Sequence, residues 1–247
     1  MSLTPREIPT GAVRYNTDSN KMEVYIGSTW MEVAVSSPNL DGGARAVFHS
    51  GRLSSGDDKN NIDFVTISTA GNAIDFGDST QPTEGNNTSC VSSRTRGIYA
   101  GGYKHPTGHH DQIGFITISS TGNSTDFGNL TQSRRAIAGV SNATRGVFCG
   151  GLSPTPRDTV DYVTIATTGD AVDFGDLNRA RQSGTGMSSP TRGLLYGGYF
   201  HPSYAANEFI TIATLGSAQE FGDAYRYIST TSDANRYNSA GVSNSVR

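Results

Sequence analysis

Short apolar runs that alternate with threonine mark the chain from residue 44 onward. In each of four related segments two β-branched residues stand two positions apart, a period that predicts a strand with one buried face. A second arm follows in every segment and carries a phenylalanine before a glycine. The four alternating pairs are Val65 and Ile67, Ile116 and Ile118, Val163 and Ile165, and Ile210 and Ile212. The pattern predicts an all-β protein.

A repeat of about 50 residues underlies this pattern. Three near copies, TRGIYAGGY, TRGVFCGGL and TRGLLYGGY, begin at residues 95, 144 and 191, and ARAVFHSGR at residue 44 fits the same register. Each copy precedes an alternating pair, and a further short strand such as AIAGVSN at 136–142 precedes the copy. Four antiparallel strands in a unit of this length predict one blade of a β-propeller.

A glycine followed by a small polar residue separates the last two predicted strands of each unit. Such a dipeptide is typical of a type II′ hairpin turn, because glycine adopts a positive φ without a steric penalty. We therefore predict that the turn between the third and fourth strands falls on the dipeptide. The four dipeptides are Gly71-Asn72, Gly122-Asn123, Gly169-Asp170 and Gly216-Ser217.

The last residues repeat the start of a unit. SAGVSNSVR at 239–247 matches IAGVSNATR at 137–145, whereas the first unit begins at its second strand. An unpaired strand leaves two exposed edges, which favour aggregation. We therefore predict a four-bladed propeller closed by the C-terminal strand, with that strand pairing into the first blade. The alternative is that the strand pairs with another subunit, so that two or more chains share the closure.

Loops of variable length and sequence connect the second strand to the third and the fourth strand to the next unit. Strand alternation places both sets on one face of the propeller, and loops on a rigid scaffold commonly carry recognition. Aromatic and histidine side chains in these loops could stack on sugar rings, or alternatively pack the loops onto the propeller. The candidate ligand-binding residues are Tyr103, His105, His109, His110, Tyr199, His201, Tyr204, Tyr225 and Tyr227.

Symmetry separates structural residues from candidates for chemistry. Arg45, Arg96, Arg145 and Arg192 recur in every unit, so we expect them to hydrogen-bond between blades. His105, His109 and His110 beside Asp111 could supply metal ligands. The His105-Pro106 pair recurs as His201-Pro202, however, which indicates loop architecture. We expect no metal and no cofactor, and because no nucleophile, phosphate-loop or metallohydrolase motif is present, no enzymatic activity.

Composition and charge exclude several classes of protein. The chain has 247 residues, of which 34% are hydrophobic and 17% charged, with 30 glycines and a formal net charge of −3. This composition argues against a coiled coil, and the net charge offers no attraction for nucleic acid. No apolar run approaches the roughly 18 residues of a membrane span, so we expect no membrane insertion. Cys90 and Cys149 make no disulfide framework, and the start of the chain lacks a secretory pattern.

The repeats resemble those of kelch propellers. The shared features are a double glycine after a short apolar strand, the hairpin that follows, and an aromatic residue near the end of the last strand. Phenylalanine stands where the family usually has tryptophan, and Trp30 lies outside the repeats. The resemblance covers roughly residues 44–247 and implies architecture alone, because kelch propellers serve unrelated functions. The double glycines are Gly101-Gly102, Gly150-Gly151 and Gly197-Gly198.

The N-terminal segment departs from the repeat. Residues 11–35 read as a three-stranded meander, so we predict a small domain over 1–40 and the propeller over 41–247. The segment resembles a short module of tail-fibre and other structural proteins of bacteriophages. The residues that carry this resemblance are Arg14, Tyr15, Asn16, Asn20, Lys21, Glu23, Tyr25, Gly27 and Trp30. Among them Arg14, Tyr15, Tyr25 and Trp30 are the candidate attachment residues.

The repeats also look like those of virion-associated proteins of marine and cyanobacterial phages. Together the two resemblances imply a virion structural protein, a tail-fibre or tail-appendage component, that displays its propeller toward a host surface such as a polysaccharide. They further imply assembly in the host cytoplasm, other virion proteins as partners and a homo-oligomer. The alternatives are an architectural capsid, neck or tail decoration that binds only virion proteins, and a cellular kelch-type interaction module.

Overall fold

The computed structural model describes residues 8–17, 21–33, 45–52, 58–83, 88–199, 206–223 and 241. All regular secondary structure in these ranges is β, in five small antiparallel sheets of three or four strands. None of the described residues forms a helix long and apolar enough to cross a membrane. The chain divides into two compact units, Met1–Leu40 and Asp41–Arg247.

The first unit contains the predicted three-stranded meander. Its strands β1 (Val13–Asn16), β2 (Lys21–Ile26) and β3 (Thr29–Glu32) lie in chain order. Gly27 turns the chain between β2 and β3 with a φ of 66°, a conformation that glycine adopts without strain. We call these strands the meander sheet.

The second unit contains four antiparallel sheets, each built from consecutive strands. The first sheet has β4 (Arg45–Arg52), β5 (Asp58–Thr66) and β6 (Ile74–Thr83). The second has β7 (Ser89–Ser92), β8 (Arg96–Lys104), β9 (Gly108–Thr117) and β10 (Thr125–Asn129). The third has β11 (Ala138–Ser141), β12 (Arg145–Cys149), β13 (Arg157–Thr164) and β14 (Val172–Arg181). The fourth has β15 (Thr185–Ser188), β16 (Arg192–Tyr196), β17 (Ala206–Thr211) and β18 (Gln219–Asp223).

The first sheet has one strand fewer than the others among the described residues. The other three begin with a four-residue strand ahead of the Arg-Gly strand, whereas the first begins with β4, which is therefore an edge strand. Within the described ranges the first sheet thus begins with the strand equivalent to the second strand of the other three. The segment expected to fill the place, 239–247, lies outside the described residues except for Gly241, so closure by the C-terminal strand stays a prediction.

Apolar side chains fill the space between consecutive sheets. One buried cluster joins the first and second sheets through Phe76 and Ile116. A second cluster joins the second and third sheets and includes Phe127 and Phe148, and a third joins the third and fourth sheets around Phe174. Each internal sheet therefore buries both of its faces, which accounts for the short, nearly continuous apolar runs in the sequence.

A pair of backbone hydrogen bonds joins each sheet to the next. Gly122 N donates to Phe76 O at 2.7 Å, and Ser124 N donates to Asp78 O at 2.8 Å. The same two bonds recur from Gly169 and Ala171 to the second sheet and from Gly216 and Ala218 to the third. A glycine on the last strand permits this approach, because a Cβ on Gly77 would lie 2.5 Å from the Gly122 carbonyl carbon.

The predicted position of the hairpin turn is wrong. In the second sheet the tight turn closes earlier, where Ser120 N donates to Thr117 O at 3.1 Å. Gly122 has a φ of 148° instead of the roughly 60° of a type II′ turn, and it continues as extended chain toward the preceding sheet. The glycine dipeptides thus connect sheets. A local turn preference could not reveal this, because the partner strand is more than forty residues away.

The recurring arginines bond between sheets, as predicted, at three junctions. Nη1 of Arg45 donates to Ile118 O at 2.8 Å, Nη1 of Arg96 to Ile165 O at 2.9 Å, and Nη1 of Arg145 to Ile212 O at 3.0 Å. Each guanidinium also covers an aromatic ring of its own sheet, such as Phe115 beneath Arg96 at 4.7 Å. Such contacts stabilise a half-buried cation by about 1 kcal/mol.

Candidate functional site

The variable loops of the second unit lie along one edge of its sheets. Backbone hydrogen bonds tie these loops together: Arg134 N donates to His110 O at 3.0 Å, Arg135 N to Leu152 O at 3.1 Å, and Gln182 N to Tyr199 O at 3.1 Å. Arg134 thus bonds the third strand of the sheet it leaves, whereas Arg135 and Gln182 bond residues that follow the second strand of the next sheet. We call residues 103–110, 130–137 and 152–157, together with Tyr199, the variable edge.

The centre of the described variable edge is an aromatic cluster on the β8–β9 hairpin. Tyr103 and His109 are directly opposite each other across the two strands, and their rings meet nearly perpendicular with centroids 5.4 Å apart. The guanidinium of Arg135 lies over the Tyr103 ring at 4.7 Å. An aromatic face, an imidazole and a cation thus occupy one small surface, which suits a ligand with both apolar ring faces and hydroxyl groups.

Burial and neighbouring cations favour the neutral forms of His109 and His110. Burial lowers the pKa of His109, and the nearby charges of Arg135 and His110 lower it further. Burial and Lys104 also lower the pKa of His110, against a smaller rise caused by Asp111. His109 Nε2 is a buried atom that finds no hydrogen-bond partner within the described part of the chain. This nitrogen is shielded from solvent, so His109 contributes to the variable edge through the contact of its ring with Tyr103.

The other predicted ligand-binding residues are distributed unevenly. His105 is exposed at the hairpin tip, apart from the ring pair of Tyr103 and His109. Tyr199 is exposed in the fourth sheet, two sheets away in chain order, and bonds through its backbone to Gln182. The remaining candidates, His201, Tyr204, Tyr225 and Tyr227, lie outside the described residues.

A fully buried arginine anchors the loop that carries Arg135. Arg134 Nη1 donates to Asp161 Oδ2 at 2.7 Å, its Nε donates to Gly150 O at 2.9 Å, and its Nη2 donates to Phe148 O at 3.1 Å. Thr131 completes the shell by donating its hydroxyl to Asp161 Oδ1 at 2.7 Å. Separating this ion pair would leave a buried charge without a counter-charge, which is costly. The pair therefore holds the loop that carries Arg134 and Arg135 against the third sheet.

The fourth sheet repeats this anchor with different residues. Arg181 pairs with Glu208, both nearly inaccessible to solvent, and Arg181 Nη1 donates to Gly197 O at 3.0 Å. Burial lowers the pKa of Arg181, while Glu208 raises it. Neither ion pair, nor the position of Arg135, was predicted from the sequence. A sequence signal for the pairs does exist. In the third and fourth units an arginine precedes the first strand, and an acidic residue stands two positions before the first β-branched residue of the alternating pair.

The described residues hold no group of three or more histidine, cysteine, aspartate or glutamate side chains placed to bind a metal ion. The two cysteines differ: Cys90 is exposed, whereas Cys149 is buried in the core between the third and fourth sheets. Burial raises the pKa of Cys149 to about 12, so its thiol stays protonated at neutral pH. Cys149 therefore acts as a small apolar residue.

The meander sheet separates the predicted attachment residues onto two faces. On one face Arg14 bonds Glu23 at 2.8 Å and covers the Trp30 ring at 4.2 Å, with Tyr25 packed against Trp30. Tyr15 lies on the opposite face, since successive residues of a strand alternate. That opposite face is apolar and exposed. Its large side chains are Val13, Tyr15, Met22, Ile26 and Met31.

Comparison with known proteins yields no match: no protein-family model matches the sequence, and no curated protein matches it.

Proposed function

We propose that this protein is a structural component of a bacteriophage virion, a tail-fibre or tail-appendage subunit that binds without catalysis. The observation that carries the proposal is the exposed apolar face of the meander sheet. A small sheet with five large apolar side chains in water is stable only when a further surface covers it. The same segment carries the resemblance to phage fibre modules, so we propose that this face, including Tyr15, docks onto other virion proteins or onto copies of itself.

We propose further that the four sheets of the second unit are the blades of a kelch-like propeller. Supporting this, consecutive sheets pack through both faces, and the same backbone bonds and arginine bonds recur at each internal junction. The segment 239–247 would supply the missing first strand of the first sheet, ahead of β4. A propeller presents its loops from a rigid base, which suits a displayed recognition module.

Host-surface recognition is the role we propose for the variable edge. The Tyr103 ring, the neutral His109 imidazole and the Arg135 cation together suit a polysaccharide, which offers ring faces and hydroxyl groups. A single site of this size binds weakly. Many copies on one virion raise the overall affinity by about 10²–10⁴ without any new contact.

The virion assignment is tested on purified phage particles. An antibody raised against the recombinant protein is expected to label tails or appendages in electron micrographs of particles banded by density. The Met22→Asp variant places a charge on the apolar face of the meander and should fail to enter particles, whereas Ser28→Asp, in the turn between β2 and β3, should be incorporated normally. Absence of the protein from banded particles that infect normally would overturn the assignment.

Recognition is tested separately with a glycan array and with whole host cells. Binding of the purified protein should fall at least about tenfold in Tyr103→Ala and in His109→Ala, because each removes one partner of a ring contact. Leu215→Ala changes an exposed apolar residue at the opposite end of the fourth sheet and should bind normally. If no glycan or cell binds, while particles lacking the protein fail to assemble, the architectural role replaces the recognition role.

A further inference from the structure

The first and fourth sheets expose the two halves of the contact that joins every internal pair of sheets. On the fourth sheet the exposed half includes Phe221, of which 56% is accessible, whereas its repeat equivalents Phe76, Phe127 and Phe174 are only 2% to 3% accessible. Each of those three rings is covered by the sheet that follows it. Among the described residues no sheet covers Phe221.

The first sheet exposes the other half. Phe48 is 55% accessible and Ile67 is 68% accessible. Their equivalents in the third sheet, Phe148 and Ile165, are 0% and 2% accessible because the second sheet covers them. Ala73 is likewise exposed, although its equivalent Ala171 is buried.

The polar groups of the first and fourth sheets likewise lack the partners that their equivalents have at the internal junctions. Arg192 is the fourth recurring arginine, yet within the described ranges its guanidinium donates to no carbonyl oxygen, unlike those of Arg45, Arg96 and Arg145. The equivalent acceptor would be the carbonyl of Ile67. A Cβ built on Gly222 would meet no described atom within 4 Å, whereas on Gly175 it would lie 2.7 Å from the following sheet.

A recess marks the place of the missing strand. It has a volume of about 370 Å³ and lies between edge strand β4 and strand β7, where Val47 and Val91 line it. In the third sheet a Cβ on Gly146 would lie 2.6 Å from the Val91 side chain, and in the fourth a Cβ on Gly193 would lie 2.5 Å from Val140. At Gly97, the equivalent in the second sheet, such a Cβ would meet only Ile116 of its own sheet. The space in front of Gly97 therefore lacks a valine.

The C-terminal segment of the chain carries that valine. In the repeat register Val242 corresponds to Val91 and Val140, and Gly241 corresponds to Gly139. Gly241 already lies beside the fourth sheet, since a Cβ on it would be 2.6 Å from Met187. Gly139 has the same relation to Val91 in the sheet before it. Gly241 therefore stands beside the fourth sheet as Gly139 stands beside the second.

Charge complementarity matches this segment to the first sheet. Arg134 and Arg181 stand shortly before the first strand of the third and fourth sheets, respectively. Each pairs with an acidic residue of the sheet that follows it. In the same register the C-terminal segment carries Arg236, and the first sheet carries Asp63. Among the described residues Asp63 has no arginine partner. The fourth sheet with its C-terminal segment therefore matches the first sheet in apolar, backbone and ionic contacts together.

We propose that the fourth sheet and residues 236–247 of one copy of this chain dock onto the first sheet of a second copy, head to tail. Val242 enters the recess in front of Gly97, Arg236 pairs with Asp63, and Phe221 packs against Ile67 of the neighbouring copy. The recess receives its strand by edge pairing with β4, the usual mode of strand addition.

The occupant is a second copy because both halves of the contact stand open in one chain. All three internal junctions are formed, whereas the fourth sheet does not cover Phe48 or Ile67 of its own first sheet. A head-to-tail contact closes into a ring when the rotation between copies permits it. The inference rests on the propeller proposed above, but not on the role in a virion.

A charge exchange tests the pairing. Asp63→Arg and Arg236→Asp each place like charges at the junction, and each variant alone should dissociate at least about 100-fold more readily than the unmodified protein. Mixed together, the two variants present only opposite charges and should associate again. Fluorescence transfer between a donor label on one variant and an acceptor label on the other reports this directly. Transfer in the mixture equal to that between two copies of Asp63→Arg would overturn the proposal.

An apolar substitution gives an independent readout. Light scattering should show the unmodified protein at two or more times the 26.1 kDa of one chain, and Phe221→Asp should lower that mass. Val172→Asp is the matched control, since Val172 is a comparably exposed apolar residue in the interior of the row of sheets and should leave the mass unchanged. An unmodified protein of 26.1 kDa, or a Phe221→Asp variant with unchanged mass, would overturn the proposal.

These results are separable from those of the virion assignment. Head-to-tail association of the purified protein needs no particle and no glycan, so it can hold when the protein is absent from virions. Conversely, a protein present in virions that stays monomeric with a buried Phe221 would show closure within one chain. That result would retain the virion role and reject the second copy.

Discussion

The second and third sheets solve the same structural problem with different chemistry. At the outer end of each junction a backbone N–H must find an acceptor. In the third sheet Thr131 N donates to the Asp161 carboxylate at 3.2 Å, and Arg134 neutralises that carboxylate. On the second sheet the acceptors are neutral hydroxyls: the equivalent donor, Thr80 N of the first sheet, bonds the Tyr99 hydroxyl at 3.2 Å and Ser124 Oγ at 2.8 Å. One site is ionic and the other neutral, although the backbone is the same.

A glycine makes the neutral solution possible. Gly114 stands in the second sheet where the third has Asp161, and a Cβ there would overlap the Tyr99 ring and hydroxyl. The Tyr99 hydroxyl also contacts Ser124 Oγ at 2.7 Å, so its hydrogen-bonding capacity is used. The fourth sheet again uses a carboxylate, with Asn178 N donating to Glu208 at 3.0 Å. The comparison teaches that the repeat preserves the backbone donor, while the acceptor is free to change.

The largest effect should come from removing one ion of the third sheet. Arg134→Ala leaves Asp161 buried without its counter-charge, so we expect the free energy of unfolding to fall by about 3–5 kcal/mol. Urea denaturation followed by circular dichroism measures this change. Replacing both ions with apolar residues, Arg134→Met with Asp161→Leu, should recover most of the loss. A single variant that loses less than about 1 kcal/mol would show that the pair is not buried in solution.

A methyl group in the second sheet should have the next largest effect. Gly114→Ala forces the Tyr99 side chain out of its site, and overpacking of this kind lowers the free energy of unfolding by about 1–3 kcal/mol. Combining it with Tyr99→Leu, which removes the overlapping ring, should add little further loss. Strict additivity of the two substitutions would contradict the overlap. The measurement is the same denaturation series.

Removing only the hydroxyl should have a smaller effect. Tyr99→Phe keeps the ring but removes one of the two acceptors of Thr80 N, which we expect to lower the free energy of unfolding by about 1 kcal/mol. Ser124 Oγ also accepts from Thr80 N at 2.8 Å and limits the loss. The double variant Tyr99→Phe with Ser124→Ala should therefore lose more than the sum of the single variants. A sum equal to the double would indicate that the two acceptors act independently.

The smallest effect should be a pH dependence where β4 of the first sheet meets the second sheet. His49 stacks on Tyr99 with ring centroids 3.9 Å apart, and burial lowers the pKa of His49 to about 4. Because the unfolded chain binds this proton near pH 6.5, stability is full above that pH and decreases as the pH falls toward 4. Between pH 7 and pH 6 the loss should reach up to about 1 kcal/mol.

The variant His49→Gln isolates this effect, since glutamine does not titrate. Other ionisable groups near His49 are Arg45 and Cys90 in the recess and the stacked Tyr99. Burial raises the pKa of the Cys90 thiol to about 11, so the thiol stays protonated over this range. Thermal unfolding at pH 7 and pH 6 should therefore shift less in His49→Gln than in the unmodified protein. An equal shift in both proteins would assign the pH dependence elsewhere.

The strands were predictable because their signal is local. Alternating pairs such as Val163 and Ile165 report a buried strand face directly, and the repeat fixed their order. The role of Gly122 was not predictable, since its partner Phe76 lies in another sheet. Turn statistics see only neighbours in sequence, and they assigned this glycine to the wrong element.

The candidate site was predictable in part for the same reason. Tyr103 and His109 stand on one hairpin, so loop composition sufficed to select both. Arg135 joins them from the loop after the second sheet, and its position depends on the ion pair of Arg134 with a residue 27 positions away. Likewise the meander residues were selected by resemblance, but only alternation along β1 separates Tyr15 from Arg14.

The junction bonds of Gly122, Gly169 and Gly216 run from main chain to main chain, so they hardly depend on which side chains a unit carries. A duplicated unit would therefore have two faces that already fit the neighbouring sheets. Gene duplication or loss could therefore change the number of sheets in a single step, and each newly gained loop would be free to diverge from its first generation.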